Sequence, residues 1–170
     1  KGKANREVAH LYGVPSEEDD EILTLRGHKC PVTCLTISSD SRFVYSASKD
    51  SSIIQWDVLS GKRLKVIKGG RKLDKQNPFH SAHILSIAIS SDNKFLATGD
   101  ADKKIFIWNP STMEKLKVLQ RHRGPVTSLA FREKSHQLFS GCEDGNIFIW
   151  NLDIMELIED LVGHKSSITS

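Results

Sequence analysis

Histidines held at a fixed distance from an aspartate and a tryptophan are the residues of this chain best suited to chemistry. His28, His80 and His122 each stand 22 residues before an aspartate: Asp50, Asp102 and Asp144. Six residues after each aspartate comes a tryptophan: Trp56, Trp108 and Trp150. With a hydroxyl nearby, His and Asp are the residue types of a hydrolase triad, in which a carboxylate orients the imidazole that activates a nucleophile. The threefold recurrence argues against that use. An enzyme needs one nucleophile, whereas a repeated fold needs one internal network per repeat. No GxSxG turn is found, nor a Walker-type phosphate loop, an HExxH pair or a Rossmann glycine pattern. No catalytic residue and no cofactor is assigned, and the chain is expected not to be an enzyme.

The remaining candidates are weaker. His164 stands at the spacing of a fourth repeat, which leaves His10, His83 and His136 as expected surface or packing residues. Cys30, Cys34 and Cys142 include no CxxC pair and no second cluster to complete a zinc site, so no metal is assigned. Three free thiols fit a reducing compartment. With 38% hydrophobic and 26% charged residues, the 170-residue chain can bury a core. The opening KGKANREVAH has no apolar core of a signal peptide and no initiator Met, so a piece of a longer protein is expected.

These residues must be positioned by short strands. The first repeat falls on the second at a shift of 52 and on the third after a further 42, and such internal repeats take precedence over other signals. Apolar residues follow strand periodicity, as in Ile105 and Ile107 or Ile147 and Ile149. Turn compositions such as SSDSR, KDSS and LSGK separate the runs. Four strands per repeat are predicted: for the first, about Val32–Ile37, Phe43–Ala47, Ile53–Asp57 and Leu64–Lys68. Leu23–Leu25 is expected to add a strand of an earlier or closing repeat.

Gly27–His28, Gly163–His164 and Trp56–Asp57 carry a resemblance to the WD40 repeat, softened at Phe79–His80, Arg121–His122, Trp108–Asn109 and Trp150–Asn151. The resemblance implies an all-β WD40 β-propeller, with about three blades here out of about seven. Blade cores are expected at about 27–68, 79–120 and 121–162, with a fourth beginning at 163–170. Residues 1–21 are expected to form a basic helical segment and an acidic linker. In WD40 blades the turn Asp bonds the His, the His bonds a hydroxyl on the second strand, and that hydroxyl reaches the Trp indole. The sets implied are His28, Ser46, Asp50 and Trp56; His80, Thr98, Asp102 and Trp108; and His122, Ser140, Asp144 and Trp150.

Function on such a scaffold belongs to loops. The chain carries a net charge of +3, yet Lys62 to Lys75 holds seven cations against Asp74 alone. The ten residues separating the 52 and 42 spacings fall in this stretch, where Lys68, Arg71, Lys72 and Lys75 are candidates for phosphate contact. Lys115, Lys117, Arg121 and Arg123 form a second basic cluster at the corresponding connection of the next blade, and successive connections of this type emerge on the same side of a propeller. A solvated loop is the plainer reading. Phe79 is the one aromatic residue of the long connection, which favours structured RNA bound through its backbone over stacked single strands.

A narrower resemblance rests on PVTCLTISSDSRFVYSASKDSSIIQWDVLSGKRL, HILSIAISSDNKFLATGD and HRGPVTSLAFREKSHQLFS. These are similar to the WD40 family of U3 small nucleolar ribonucleoprotein components. That likeness implies a nucleolar, nuclear protein that binds the box B/C region of U3 small nucleolar RNA beside a kink-turn-binding protein. It implies a role with other small-subunit processome proteins in 18S ribosomal RNA processing. The alternative is a general WD40 protein–protein scaffold or adaptor without RNA contact.

Overall fold

The computed structural model describes residues 23–70 and 79–169. Twelve strands lie in this span, in three four-stranded antiparallel sheets that each follow chain order. The first holds β1 (Val32–Ile37), β2 (Phe43–Ser48), β3 (Ile53–Asp57) and β4 (Arg63–Ile67). The second holds β5 (Ile84–Ile89), β6 (Leu96–Asp100), β7 (Lys104–Trp108) and β8 (Lys115–Gln120). The third holds β9 (Val126–Phe131), β10 (Gln137–Cys142), β11 (Asn146–Asn151) and β12 (Glu156–Val162). This is the all-β blade architecture expected, and the four strands of the first repeat agree to within a residue at either end. No strand forms at 23–25, because a strand needs a ladder partner and none of the described residues supplies one. Leu23 and Leu25 lie instead beside the Gly61 turn. The expected segment at 1–21 lies outside the described residues. Among those described, no helix is long and apolar enough to cross a membrane.

The repeat extends to backbone conformation. The turns before the third strands place Ser51, Lys103 and Gly145 at positive φ, and those before the fourth strands do the same with Gly61, Met113 and Met155. Each sheet hides apolar residues on faces turned to its neighbours, so the cores lie between sheets. One core joins Tyr45, Ile53 and Ile67 to Ile84, Leu96, Phe106 and Trp108. The next joins Ile105, Ile107 and Leu119 to Val126, Leu138, Phe148 and Trp150. Hydroxyls clasp adjacent first strands: Thr33 donates to the Ile84 carbonyl at 2.6 Å and Ser86 to that of Val126 at 3.2 Å. Thr127 donates to the Ile168 carbonyl at 2.6 Å, so the residue beginning the fourth repeat is docked as Ile84 is.

Candidate functional site

In each sheet the ladder sets a tryptophan diagonally across from a hydroxyl. Ser46 pairs with Ile54 while Trp56 pairs with Val44; the same offset joins Thr98 to Trp108 and Ser140 to Trp150. Residues at that diagonal share a face and are within reach of a large side chain. Trp56, Trp108 and Trp150 each donate the indole N–H to the hydroxyl oxygen at 2.8 Å. The same hydroxyls meet Nε2 of His28 at 2.8 Å, His80 at 2.7 Å and His122 at 2.8 Å.

The far side of each imidazole differs. His28 donates from Nδ1 to Ser52 Oγ at 2.8 Å, and the Ser52 hydroxyl donates to Asp50 Oδ1 at 2.5 Å. Asp50 itself lies 3.5 Å from Nδ1, so its link is relayed. Burial acts to raise the Asp50 pKa, but hydrogen bonds from Ser52 and the Lys29 N–H overcome it and hold it at about 2. In the second sheet the expected partner, Asp102, is replaced by Asp100. Its Oδ2 takes the His80 Nδ1–H at 2.8 Å, while Asp102 accepts from the Ser81 hydroxyl at 3.3 Å. Asp100 ends β6 and points inward, whereas Asp102 sits in the turn beyond. Burial, offset in part by Asp100, lowers the His80 pKa and keeps the ring neutral. In the third sheet the expected bond from His122 to Asp144 is missing. Asp144 accepts from the Cys142 thiol and the Asn146 side chain, which turns it away. Ser52, Asp100 and Cys142 were not foreseen as network members. Their common signal is proximity to the turn aspartate, two residues to one side or the other.

Chain direction sorts the candidate cations. β8 runs from Lys115, paired with Trp108, to Gln120, paired with Lys104. Lys115 and Lys117 therefore stand at one end of the sheet and Arg121 and Arg123 beyond the other. At about 3.3 Å per residue the ends of β8 are roughly 15–20 Å apart. The second basic cluster is therefore divided: Lys115 and Lys117 do not share an end with Arg121 and Arg123. Lys117 reaches across to the Met155 carbonyl at 2.8 Å, as Lys65 reaches Ser111 at 2.5 Å, so both tie one sheet to the next. Lys68 follows β4 and lies at the Arg121 end. Arg71, Lys72 and Lys75 lie outside the described residues.

The turns before the third strands come to this same end by strand alternation, and they bring cations that spacing did not single out. Lys49 and Lys103 project there, exposed, with Lys29 beside the Asp50 turn. His83 donates to the Lys49 carbonyl at 2.5 Å and Ser51 to that of Ala82 at 2.7 Å, so the first two sheets are joined there. Arg121 and Arg123 line a cleft with Asn146, Phe148, Asp160 and Val162. Among the described residues this end thus gathers the exposed cations Lys29, Lys49, Lys68, Lys103, Arg121, Arg123 and Lys165, whose neighbours His164 and Ser166 lie against the Gly145 turn, beside the exposed acids Glu143, Asp144 and Asp160. Such an arrangement can hold phosphates at several points along a surface.

A family model described as WD domain, G-beta repeat matches residues 19–57, 74–109 and 113–151. U3 small nucleolar RNA-interacting protein 2 of Homo sapiens is 41% identical over 128 residues, 75% of this chain and 26% of its own length. Ribosomal RNA-processing protein 9 of Saccharomyces cerevisiae is 33% identical over 89 residues, 45% of this chain and 16% of its own length. A solved structure, described as that of U3-55K, superposes with a TM-score of 0.80 at 42% identity and covers 84% of this chain and 42% of that one. The chain spans about a quarter of the human relative, at 26% of its length.

Proposed function

The chain belongs to the WD domain, G-beta repeat family, and on that premise we propose that it is part of the propeller of a U3 small nucleolar ribonucleoprotein component. In this reading it is a non-enzymatic platform for RNA and protein in the nucleolus. Its RNA is U3 small nucleolar RNA at box B/C, met beside a kink-turn-binding protein, and its work is 18S ribosomal RNA processing among other processome proteins. The observation that carries the reading is 41% identity across 75% of this chain with a relative named for its interaction with U3 small nucleolar RNA. The end bearing Lys68, Arg121 and Arg123 supports it electrostatically, and Lys29, Lys49 and Lys103 extend the surface. Arg71, Lys72 and Lys75 belong to the same proposed contact by sequence position.

The test is binding of the complete protein to box B/C RNA with its kink-turn partner, titrated with salt. Two variants are compared with the wild type: Lys68, Arg121 and Arg123 replaced by Ala, and Lys115 and Lys117 replaced by Ala. Each lost phosphate contact flattens the logarithmic salt slope by roughly 0.7–0.9. The first variant is expected to bind more weakly with a slope flatter by about 2, and the second to keep the wild-type slope. The reverse pattern moves the RNA to the opposite end. No RNA binding by the wild type replaces this reading with that of a protein scaffold.

A further inference from the structure

The third relay stops where the other two continue. His28 and His80 donate the Nδ1–H to Ser52 and Asp100. His122 is only 7% exposed, and its Nδ1 has no hydrogen-bond partner. A buried imidazole nitrogen left without a partner is costly, and the other sheets show that this fold has ways to satisfy it. Two further groups stand beside it. Cys142 is fully buried, and Asp144 is exposed on the turn two residues on. An imidazole nitrogen, the Cys142 Sγ and an Asp144 carboxylate oxygen all lie within 4.8 Å of one another.

We propose that His122, Cys142 and Asp144 form a binding site for a divalent transition-metal ion of the zinc type. Thiolate, imidazole and carboxylate are the ligands such an ion takes. A thiolate and a carboxylate balance its two charges, so the site is neutral when filled. The ring is poised for it. Ser140 Oγ lies 3.4 Å from the Phe148 carbonyl and can donate there, which leaves it able to accept Nε2–H; in that tautomer Nδ1 presents a lone pair. The Cys142 thiol now donates to Asp144; binding replaces that proton with the metal and releases it to solvent. Ligand distances of about 2.0–2.3 Å set ligand atoms roughly 3.3–3.7 Å apart around a tetrahedral ion. Closing the site therefore takes movements of about 1 Å. Water fills the fourth position on the exposed Asp144 side. The site is peculiar to this sheet, since Ser48 and Asp100 occupy the place of Cys142 in the other two repeats.

The test uses the complete protein, stripped with a chelator and titrated with Co²⁺ and then Zn²⁺. Co²⁺ is expected to produce a thiolate-to-metal charge-transfer band that Zn²⁺ abolishes. Cys142→Ser is expected to lose one metal equivalent with that band, and Cys30→Ser to keep both. Ser at the matching position 48 of the first sheet shows that the fold accepts the change. Asp144→Asn, on an exposed turn, is expected to weaken Zn²⁺ by at least the roughly 10–100-fold that loss of an outer partner costs. The proposal is overturned by a wild type without the band, by Cys142→Ser retaining the full metal count, or by Asp144→Asn binding Zn²⁺ as tightly as the wild type.

Discussion

Replacing Asp100 separates the relay seen in the structure from the one that spacing alone implies. Asp100 is fully buried, and its carboxylate serves two donors: the His80 Nδ1–H at 2.8 Å and the Lys104 backbone N–H at 3.0 Å. Asp100→Ala leaves both without acceptors. Each orphaned buried donor costs about 1–3 kcal/mol, or about 2–6 kcal/mol for the pair. Part of that is returned, because Ala no longer buries a carboxylate. A net loss of about 3 kcal/mol is expected. Asp102 is half-buried in the turn and does not bond the imidazole, so Asp102→Ala is expected to cost less than Asp100→Ala. Urea unfolding followed by tryptophan fluorescence reads the difference, since Trp108 lies on the relay. The Asp100→Ala midpoint should fall by roughly 1–3 M at unchanged slope. Equal midpoints for the two variants, or a larger drop for Asp102→Ala, would refute the reasoning.

Gly99→Ala should weaken docking of the second sheet on the third. A Cβ there would meet Val126 Cγ1 at 2.6 Å and Ser86 Oγ at 2.7 Å, and overpacking of this kind costs about 1–3 kcal/mol, read as a lowered melting temperature. His80→Gln should remove part of the protein's acid sensitivity. The folded pKa of His80 is lowered, so its contribution is complete above the unfolded value and is lost as pH falls below about 6.5. Wild-type stability should therefore fall more steeply than that of the variant on the acid side of neutrality. His136 works in the opposite sense. Hydrogen bonds to Asp92 and Asp153, on the second and third sheets, raise its pKa. Its contribution is present below about pH 6.5 and is lost as pH rises through the folded value. Asp92 adds an acid limit: burial acts to raise its pKa, but bonds from His136, Ser90 and Lys94 hold it low. His136→Ala should flatten the decline in stability above neutral pH; an unchanged decline would exclude this clamp as its source.

What the sequence made legible follows the physics of the ladder. The separation of 10 residues between hydroxyl and tryptophan, and of 18 between histidine and hydroxyl, is the same in all three sheets because strand register admits little else. Those contacts could be placed by counting. The partner of Nδ1 comes from the turn, where two residues either way brings a different side chain to the same ring. Counting therefore named Asp102 where Asp100 is bound, passed over Ser52, and left Cys142 as a free thiol. The cation surface shows the same division. Treating 115–123 as one connection joined residues that β8 holds at opposite ends, whereas strand alternation would have parted them. The same alternation would have brought Lys49 and Lys103 to the side of Arg121 and Arg123.

This division also argues that the relays are scaffold and that recognition lies elsewhere. If the His and Asp groups of all three sheets served one common ligand, their outer partners would be expected to keep one geometry, because a ligand imposes it. Instead each sheet keeps the inner half, tryptophan to hydroxyl to Nε2, within 0.1 Å and solves the outer half differently. A relayed serine and a direct carboxylate are two answers to one problem of burying an imidazole, and the third sheet leaves it open at His122 Nδ1. The inner half is what holds the third strand against the second and the tryptophan between sheets. The outer half faces the turns, and the turns share their end of the molecule with the exposed cations. Variation is thus concentrated at the end that carries the exposed cations, and constancy where the sheets meet each other.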